Sequence, residues 1–296
     1  MDQSINLNRL SRNLLNSMED EFLRVGIFFR IFERVKSLSS IESKKKMKGP
    51  GYYDGKTKLI RDIIGIRIVL YFPDDIAIVH SRLAKLYNIV EETIDKTTET
   101  NFEPIRINLV CQLPTESLAE FKATTNDPAL DGTFEIQLRT ILSEGWHEID
   151  HDLRYKCRDD WKDNKDLSRS FNGILATLET SEYATLRLFD QLSFRHFKAF
   201  DVVAMLRTKF RLKLESFFLS EKIAQLITPP TLKELYKVDR NDAIKFLFEC
   251  GIIIPLTLEN FLFLINYKFI KDSELLQATP ELLLSELESS SEITAK

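Results

Sequence analysis

Apolar residues first recur at helical spacing. Leu7, Leu10, Leu14, Met18 and Phe22 share one face, which predicts one or two helices over residues 4–35. The basic stretch "SKKKMKGPGYYDGKTK", with its glycines and proline, reads as a loop. The period then shortens. "RDIIGIRIVLYF" is a β-branched apolar run too dense for an edge strand, and it predicts a buried one. Asp74 or Asp75 is placed to cap a helix ending near Leu86. "NIVEETID" and "IRINLVCQL" predict two more strands. "TFEIQLR" alternates, with Phe134, Ile136 and Leu138 on one face and Glu135, Gln137 and Arg139 on the other. A helix is expected over residues 140–156. Its stripe of Leu142, Trp146, Ile149 and Leu153 would pack on the sheet, leaving Ser143, His147, Asp150, His151 and Arg154 facing outward or into a cleft. Beyond Asp159 only helical patterns remain. A long one fills "DLSRSFNGILATLETSEYATLRLFDQL", and another runs from Phe200 to Phe218. The prolines of "ITPPTL" mark a break before a compact helical unit, and the tail "SELESSSEITAK" is expected to fray. The sum is an α/β (α+β) chain: strands and helices within residues 1–200, then a helical region over residues 201–296.

Composition narrows the class. At 44% hydrophobic and 29% charged the chain can bury a sizeable core and stay soluble. A formal net charge of -4 argues against a protein that coats nucleic acid, while a local basic patch can still hold phosphate. "MDQSINLNRLSRNLL" is too polar for a signal peptide, and no run reaches the roughly 18–20 apolar residues that span a bilayer, so no membrane partner is expected. Cys111, Cys157 and Cys250 are odd in number and far apart, which fits a cytoplasmic protein and gives no zinc-finger spacing.

Five features bear on candidate chemistry. His147, Glu148 and His151 fit H-E-x-x-H, yet acidic neighbours surround the second histidine and no third ligand is evident, so a solvated polar helix face competes with zinc. "GPGYYDGKT" resembles a phosphate-binding loop, but its glycine spacing fails. Asp62, at the start of the buried strand, and Glu135, on the polar face of another, could meet around a Mg²⁺ ion, whose ligands are oxygens from carboxylates and substrate phosphates. Arg34, Lys36, Lys44, Lys45, Lys46 and Lys48 form a cationic segment able to hold a polyphosphate, or merely a solvated charge run. Arg67, deep in an apolar strand, needs a carboxylate, a phosphate or a stacking partner.

In order along the chain, "RVKSLSSIESKKKMKG", "RDIIGIRIVLYFPDD" and "FEIQLRTILSEGWHEIDHDLRYK" resemble the synthetase domain of the RelA/SpoT family, most of all its small stand-alone alarmone synthetases. The resemblance covers residues 30–160. It implies a nucleotidyltransferase-like mixed β-sheet flanked by helices, and transfer of the β,γ-pyrophosphate of ATP to the 3′-hydroxyl of GDP or GTP, giving (p)ppGpp. By position, Asp62 and Glu135 would be Mg²⁺ ligands, Glu135 also serving as general base. Arg34 and Arg67 would sandwich the adenine; Lys36, Ser40, Lys44 and Lys48 would hold the ATP phosphates. Gln137, Arg139, Asp150 and His151 would lie toward the acceptor, with Arg106 and Asn108 on the preceding strand. There the chain departs from the family's G-Y-x-S-x-H pattern: Pro104, Arg106 and Asn108 stand at its Tyr, Ser and His. Without that stacking tyrosine the acceptor could be a guanine nucleotide, an adenine nucleotide or the 3′ end of tRNA, and a non-catalytic nucleotide-binding or interaction protein is the alternative outside this chemistry. No hydrolase domain precedes the motifs, so product would be made and not degraded. Residues 201–296 would serve self-association, regulation or a neutralising partner protein.

Overall fold

In helix α1 (Asp2–Arg24) the predicted apolar face is buried, from Leu7 to Phe22. The computed structural model describes residues 2–49, 51–53, 55, 58–94, 107–125 and 127–294. The helical pattern does not continue to residue 35 as expected. Gly26, at φ +71°, ends it, and Phe29–Val35 is a strand, β1. Its sequence "FRIFERV" alternates in exposure, a period of two that the preceding helical spacing masks. The expected loop at 43–58 is also corrected in its first part: Lys44, Lys45, Lys46 and Lys48 lie in helix α2 (Leu38–Lys48). Ser37 caps this helix by accepting from the Ser40 amide at 3.2 Å, Gly49 closes it at φ +88°, and the basic last turn suits the negative end of the helix dipole. Among the residues of α2 whose burial is described only Ile41 is buried, so no apolar period announces the helix.

Strand β2 (Ile64–Leu70) is followed by α3 (Asp75–Leu86), which begins as predicted although Asp74 makes no side-chain capping bond. β3 (Ile89–Ile94), β4 (Ile107–Gln112), α4 (Thr115–Thr125) and β5 (Thr133–Thr140) complete a five-stranded sheet in the order β1-β2-β5-β4-β3. β2 and β5 run parallel at its centre, and every other pairing is antiparallel, so the expected mixed sheet is observed. One face is apolar: Ile64, Ile66, Ile68, Leu109, Phe134, Ile136 and Leu138 are fully buried. Register brings Arg34 opposite Gly65, Gly65 opposite Glu135, Arg67 opposite Gln137 and Gln137 opposite Asn108, so one face collects charged residues from three strands and an uncharged polar residue from a fourth.

Helix α5 (Ile141–Asp150) touches β2 and β5 and leads into a wide π-helical turn, His151–Tyr155, where an α-helix through residue 156 was expected. α6 (Arg158–Trp161) and the long α7 (Lys165–Lys198) follow. The expected stripe is corrected. Trp146 is buried, but Leu142, Ile149 and Leu153 are exposed, Leu153 by 63%. Trp146 packs on Phe171 of α7, rings 4.8 Å apart and its indole N–H donating to the Phe171 carbonyl at 3.0 Å, while Ser143 and His147 are the buried side of the helix.

Two compact units divide the chain: Met1–Glu19 with Phe29–Glu182, and Asp20–Phe28 with Tyr183–Lys296. The second is helical, as expected, with α8 (Val202–Phe210), α9 (Glu221–Leu226), α10 (Pro229–Lys237), α11 (Arg240–Cys250), α12 (Leu258–Ile265), α13 (Ser273–Ala278) and α14 (Glu281–Thr294). α8 stops at Arg211, φ +47°, short of the expected Phe218. The tail does not fray at residue 285, because α14 continues to Thr294 and buries Leu283 and Leu287. Among the described residues no helix is long and apolar enough to cross a membrane.

Candidate active-site cleft

The polar sheet face and the inward side of α5 enclose a cleft of about 730 Å³. Of the residues singled out from sequence, Arg34, Lys36, Asp62, Arg67, Glu135, Gln137, Arg139, Asp150 and His151 all line it. Gly65 lies between Arg34 and Glu135 in register; a Cβ there would meet only the Arg34 carbonyl oxygen, at 3.8 Å, so the floor is open at that point.

At one side of the cleft Asp62 precedes β2 and receives two lysines. Lys44 lies 3.0 Å from both carboxylate oxygens and Lys36 makes a hydrogen-bonded ion pair with Oδ2. Burial alone would raise the Asp62 pKa, but the hydrogen bonds and charges of Lys36 and Lys44 outweigh it and hold the carboxyl below its ordinary range. Lys44 does not line the cleft itself; it reaches Asp62 from α2. Ser40 and Lys48 lie away from the cleft, Ser40 in the first turn of α2 bonded to Ser37 and Lys48 5.5 Å from the Tyr52 ring centre. Lys45 pairs with Asp127.

Arg67 corrects the expectation of a buried strand charge. It is half-exposed in the cleft, donating to Glu144 at 2.6 Å, to Gln137 at 3.2 Å and to Glu148. Glu144 also stands 3.9 Å from Arg139, so one carboxylate of α5 faces arginines from two adjacent strands. Sequence reasoning missed Glu144 as a site residue; its spacing of three and four from His147 and Glu148 was the available signal.

Toward the other end, Asp150 is held by Arg154 at 2.6 Å and His151 by Asp152 at 2.9 Å. Tyr155 lies parallel to the His151 ring, 5.9 Å away. Asn108 is next to Gln137 across the strands but does not line the cleft, and its Oδ1 is buried without a hydrogen bond. Pro104 and Arg106 fall outside the described residues. His147 and His151 both line the cleft, and among the described residues no group of three or more His, Cys, Asp or Glu is placed to hold a metal. Asp62 and Glu135 do suit a Mg²⁺ ion completed by substrate phosphates: the donors are oxygens, they face one cleft, and two carboxylates are what such sites commonly supply.

Residues 33–160 match the family described as "Region found in RelA / SpoT proteins". Over 127 residues the chain is 31% identical to the GTP pyrophosphokinase YjbM of Bacillus subtilis, an alignment covering 42% of this chain and 54% of that protein. The chain thus spans about half the length of this curated relative. The solved small alarmone synthetase 1 of Bacillus subtilis overlaps 63% of this chain and 94% of its own, with a TM-score of 0.48 at 20% identity. Small alarmone synthetase 2 of the same organism overlaps 62% and 97%, with a TM-score of 0.46 at 23% identity. The resemblance read from the three motifs is thereby borne out over residues 33–160.

Proposed function

We propose that this chain, with its RelA/SpoT region at residues 33–160, is a cytoplasmic pyrophosphokinase that transfers the β,γ-pyrophosphate of ATP to the 3′-hydroxyl of GDP or GTP. The observation that carries the reading is the meeting of Asp62, Glu135, Lys36, Arg34 and Arg67 in one cleft of a chain 31% identical to a GTP pyrophosphokinase. Residues 1–200 would form the synthetase domain and residues 201–296 a separate helical domain.

Transfer of this kind depends on alignment and on neutralising charge rather than on covalent chemistry by the protein. Arg34 and Arg67 flank the open floor at Gly65 and hold the adenine between them. Lys36 and Lys44 take the triphosphate, with Ser40 and Lys48 of α2 drawn in as it binds. Mg²⁺ held by Asp62, Glu135 and the phosphates would offset the negative charge that the lysines leave. Glu135 faces the acceptor hydroxyl and accepts its proton. Gln137, Arg139, Asp150 and His151 line the same cleft and orient the acceptor; Asn108, beside Gln137 on β4 but outside the cleft lining, and Arg106 would join them only as the acceptor binds.

The departure at Pro104 and Asn108 gives weight to a second reading, the same transfer to an adenine nucleotide or a tRNA 3′ end. Purified protein with Mg²⁺ and ATP labelled in its terminal phosphates, offered GDP, GTP, ADP or deacylated tRNA separately, decides between them. Label is expected in GDP and GTP and absent with Glu135→Ala. Label in ADP or tRNA alone would replace the acceptor; label in none would refute the pyrophosphokinase reading.

A further inference from the structure

The Glu182 side chain is buried on α7, outside the cleft lining. Its carboxylate accepts from the Leu142 amide at 3.3 Å and from the Ser143 amide, the two backbone donors immediately ahead of Glu144 in the first turn of α5. A helix leaves the amides of its first turn without partners of its own, and its dipole favours a carboxylate there. Burial still outweighs the hydrogen bonds from Thr140, Leu142 and Ser143 and, with the charge of Glu179 nearby, holds the Glu182 carboxyl above its ordinary range. At neutral pH its charge therefore opposes folding, and stability does not account for a carboxylate at this position.

The placement of α5 matters to the cleft through Glu144, which accepts from Arg67 at 2.6 Å and stands 3.9 Å from Arg139. Two further anchors tie this segment to α7: Trp146 stacks on Phe171, and Arg154 in the π-helical turn donates to Ser168 and Asn172. Both follow Glu144, whereas Glu182 acts just ahead of it. Side-chain ends lie roughly 5–6 Å from a helix axis, so a rotation of about 10° in this turn moves the Glu144 carboxylate by about 1 Å. We propose that Glu182 is a positioning residue of the cleft: by holding the first turn of α5 it fixes Glu144 between Arg67 and Arg139, and so sets the plane that Arg67 presents to the donor base. The inference rests on the reading of Arg67 as a residue that holds the adenine. It requires the reach of the Glu182 side chain and an acceptor oxygen at its end, not its charge.

Two substitutions in the full chain separate these. Glu182→Asp keeps the charge and withdraws the oxygens by one methylene. Glu182→Gln keeps the reach and one acceptor oxygen and removes the charge. Calorimetry with a non-transferable ATP analogue should show binding weakened about five-fold by Glu182→Asp, the effect of about one lost hydrogen bond, and kept within about two-fold by Glu182→Gln. Leu175→Val, which loosens a fully buried residue of the same helix, should lower the melting temperature and leave analogue binding unchanged. Glu182→Asp should add little to Glu144→Gln, because both act through Glu144. Unchanged binding with Glu182→Asp, equal weakening by Leu175→Val, a larger loss with Glu182→Gln than with Glu182→Asp, or multiplied losses in the double variant would each overturn the proposal. The Nε–H resonance of Arg67 in the ligand-free protein reads the same placement without nucleotide; it should shift with Glu182→Asp and stay in place with Leu175→Val. Protein whose Arg67 resonance responds in this way but which binds no ATP analogue keeps the positioning role and loses the donor reading. Protein that labels an acceptor while its Arg67 resonance and its KM for ATP ignore Glu182→Asp does the reverse.

Discussion

Arg67 stands in the middle of a strand whose neighbours are isoleucine and valine, and its charge is matched by Glu144 and Glu148 one helical turn apart on α5. The sequence shows that Arg67 needs a partner, because an uncompensated charge in an apolar strand is costly. It does not show which carboxylate, since the partner lies 77 residues away in another element. Glu144→Gln leaves Arg67 with Glu148 and the neutral Gln137 and loosens its plane; the KM for ATP should rise several-fold with kcat less affected, as steady-state kinetics would show. Gly65→Val suits a strand but fills the open floor between Arg34 and Glu135. It should leave the melting temperature within a few degrees while weakening ATP-analogue binding about ten-fold or more, by calorimetry. The Asp62 carboxyl is depressed in the folded state by its lysines, despite burial. Its contribution to stability is therefore complete above the carboxylate's ordinary pKa and disappears as pH falls through the depressed folded value. Asp62→Asn should flatten the dependence of melting temperature on pH below about pH 4. Cysteine chemistry was legible only as a lack of spacing. In the fold, burial pushes the Cys111 thiol up to about 12 and raises Cys250 as well, so iodoacetamide near neutral pH should label Cys157 first.

The uninterrupted alternation of β5 was legible, whereas β1, α2 and the buried face of α5 were not. β5 alternates without interruption, and the face assignment of Glu135 and Gln137 against Phe134 and Ile136 holds in the sheet. β1 was hidden by the helix before it, and α2 by its lack of an apolar stripe. For α5 the helix was legible but its orientation was not. Leu142, Ile149 and Leu153 suggest an inward face, whereas the structure buries Ser143 and His147 and leaves Trp146 as the sole anchor of that stripe. The burial of Ser143 is explained by chemistry that hydrophobicity cannot show: Ser143 and Thr140 form a reciprocal capping box at the start of α5, and Glu182 accepts from the Leu142 amide at 3.3 Å. Trp146→Ala removes the stack on Phe171 and the indole hydrogen bond together. It should cost about 3–5 kcal/mol of stability in chemical denaturation, from loss of a large buried aromatic.

At the scale of the whole chain, the helical character of residues 201–296 was legible, but the participation of residues 20–28 in that unit was not. Phe22, Val25 and Ile27 are fully buried, Phe22 packing edge-on against Phe248 at 6.5 Å, and Arg24 donates to the carbonyls of Leu247 and Phe248. Such contacts join segments more than 200 residues apart and leave no local pattern. A fragment of residues 183–296 therefore lacks part of its own core; it should melt without a cooperative transition, while addition of residues 20–28 through a short linker restores one. The cleft of the other unit supports the central claim, transfer of an intact pyrophosphate. The decisive measurement is the nucleotide left from ATP when Mg²⁺ and GDP or GTP are supplied. Pyrophosphate transfer predicts AMP in equal amount to a 3′-modified guanine nucleotide, both lost with Glu135→Gln. ADP as the co-product, or ATP left unchanged with every acceptor, would contradict the account.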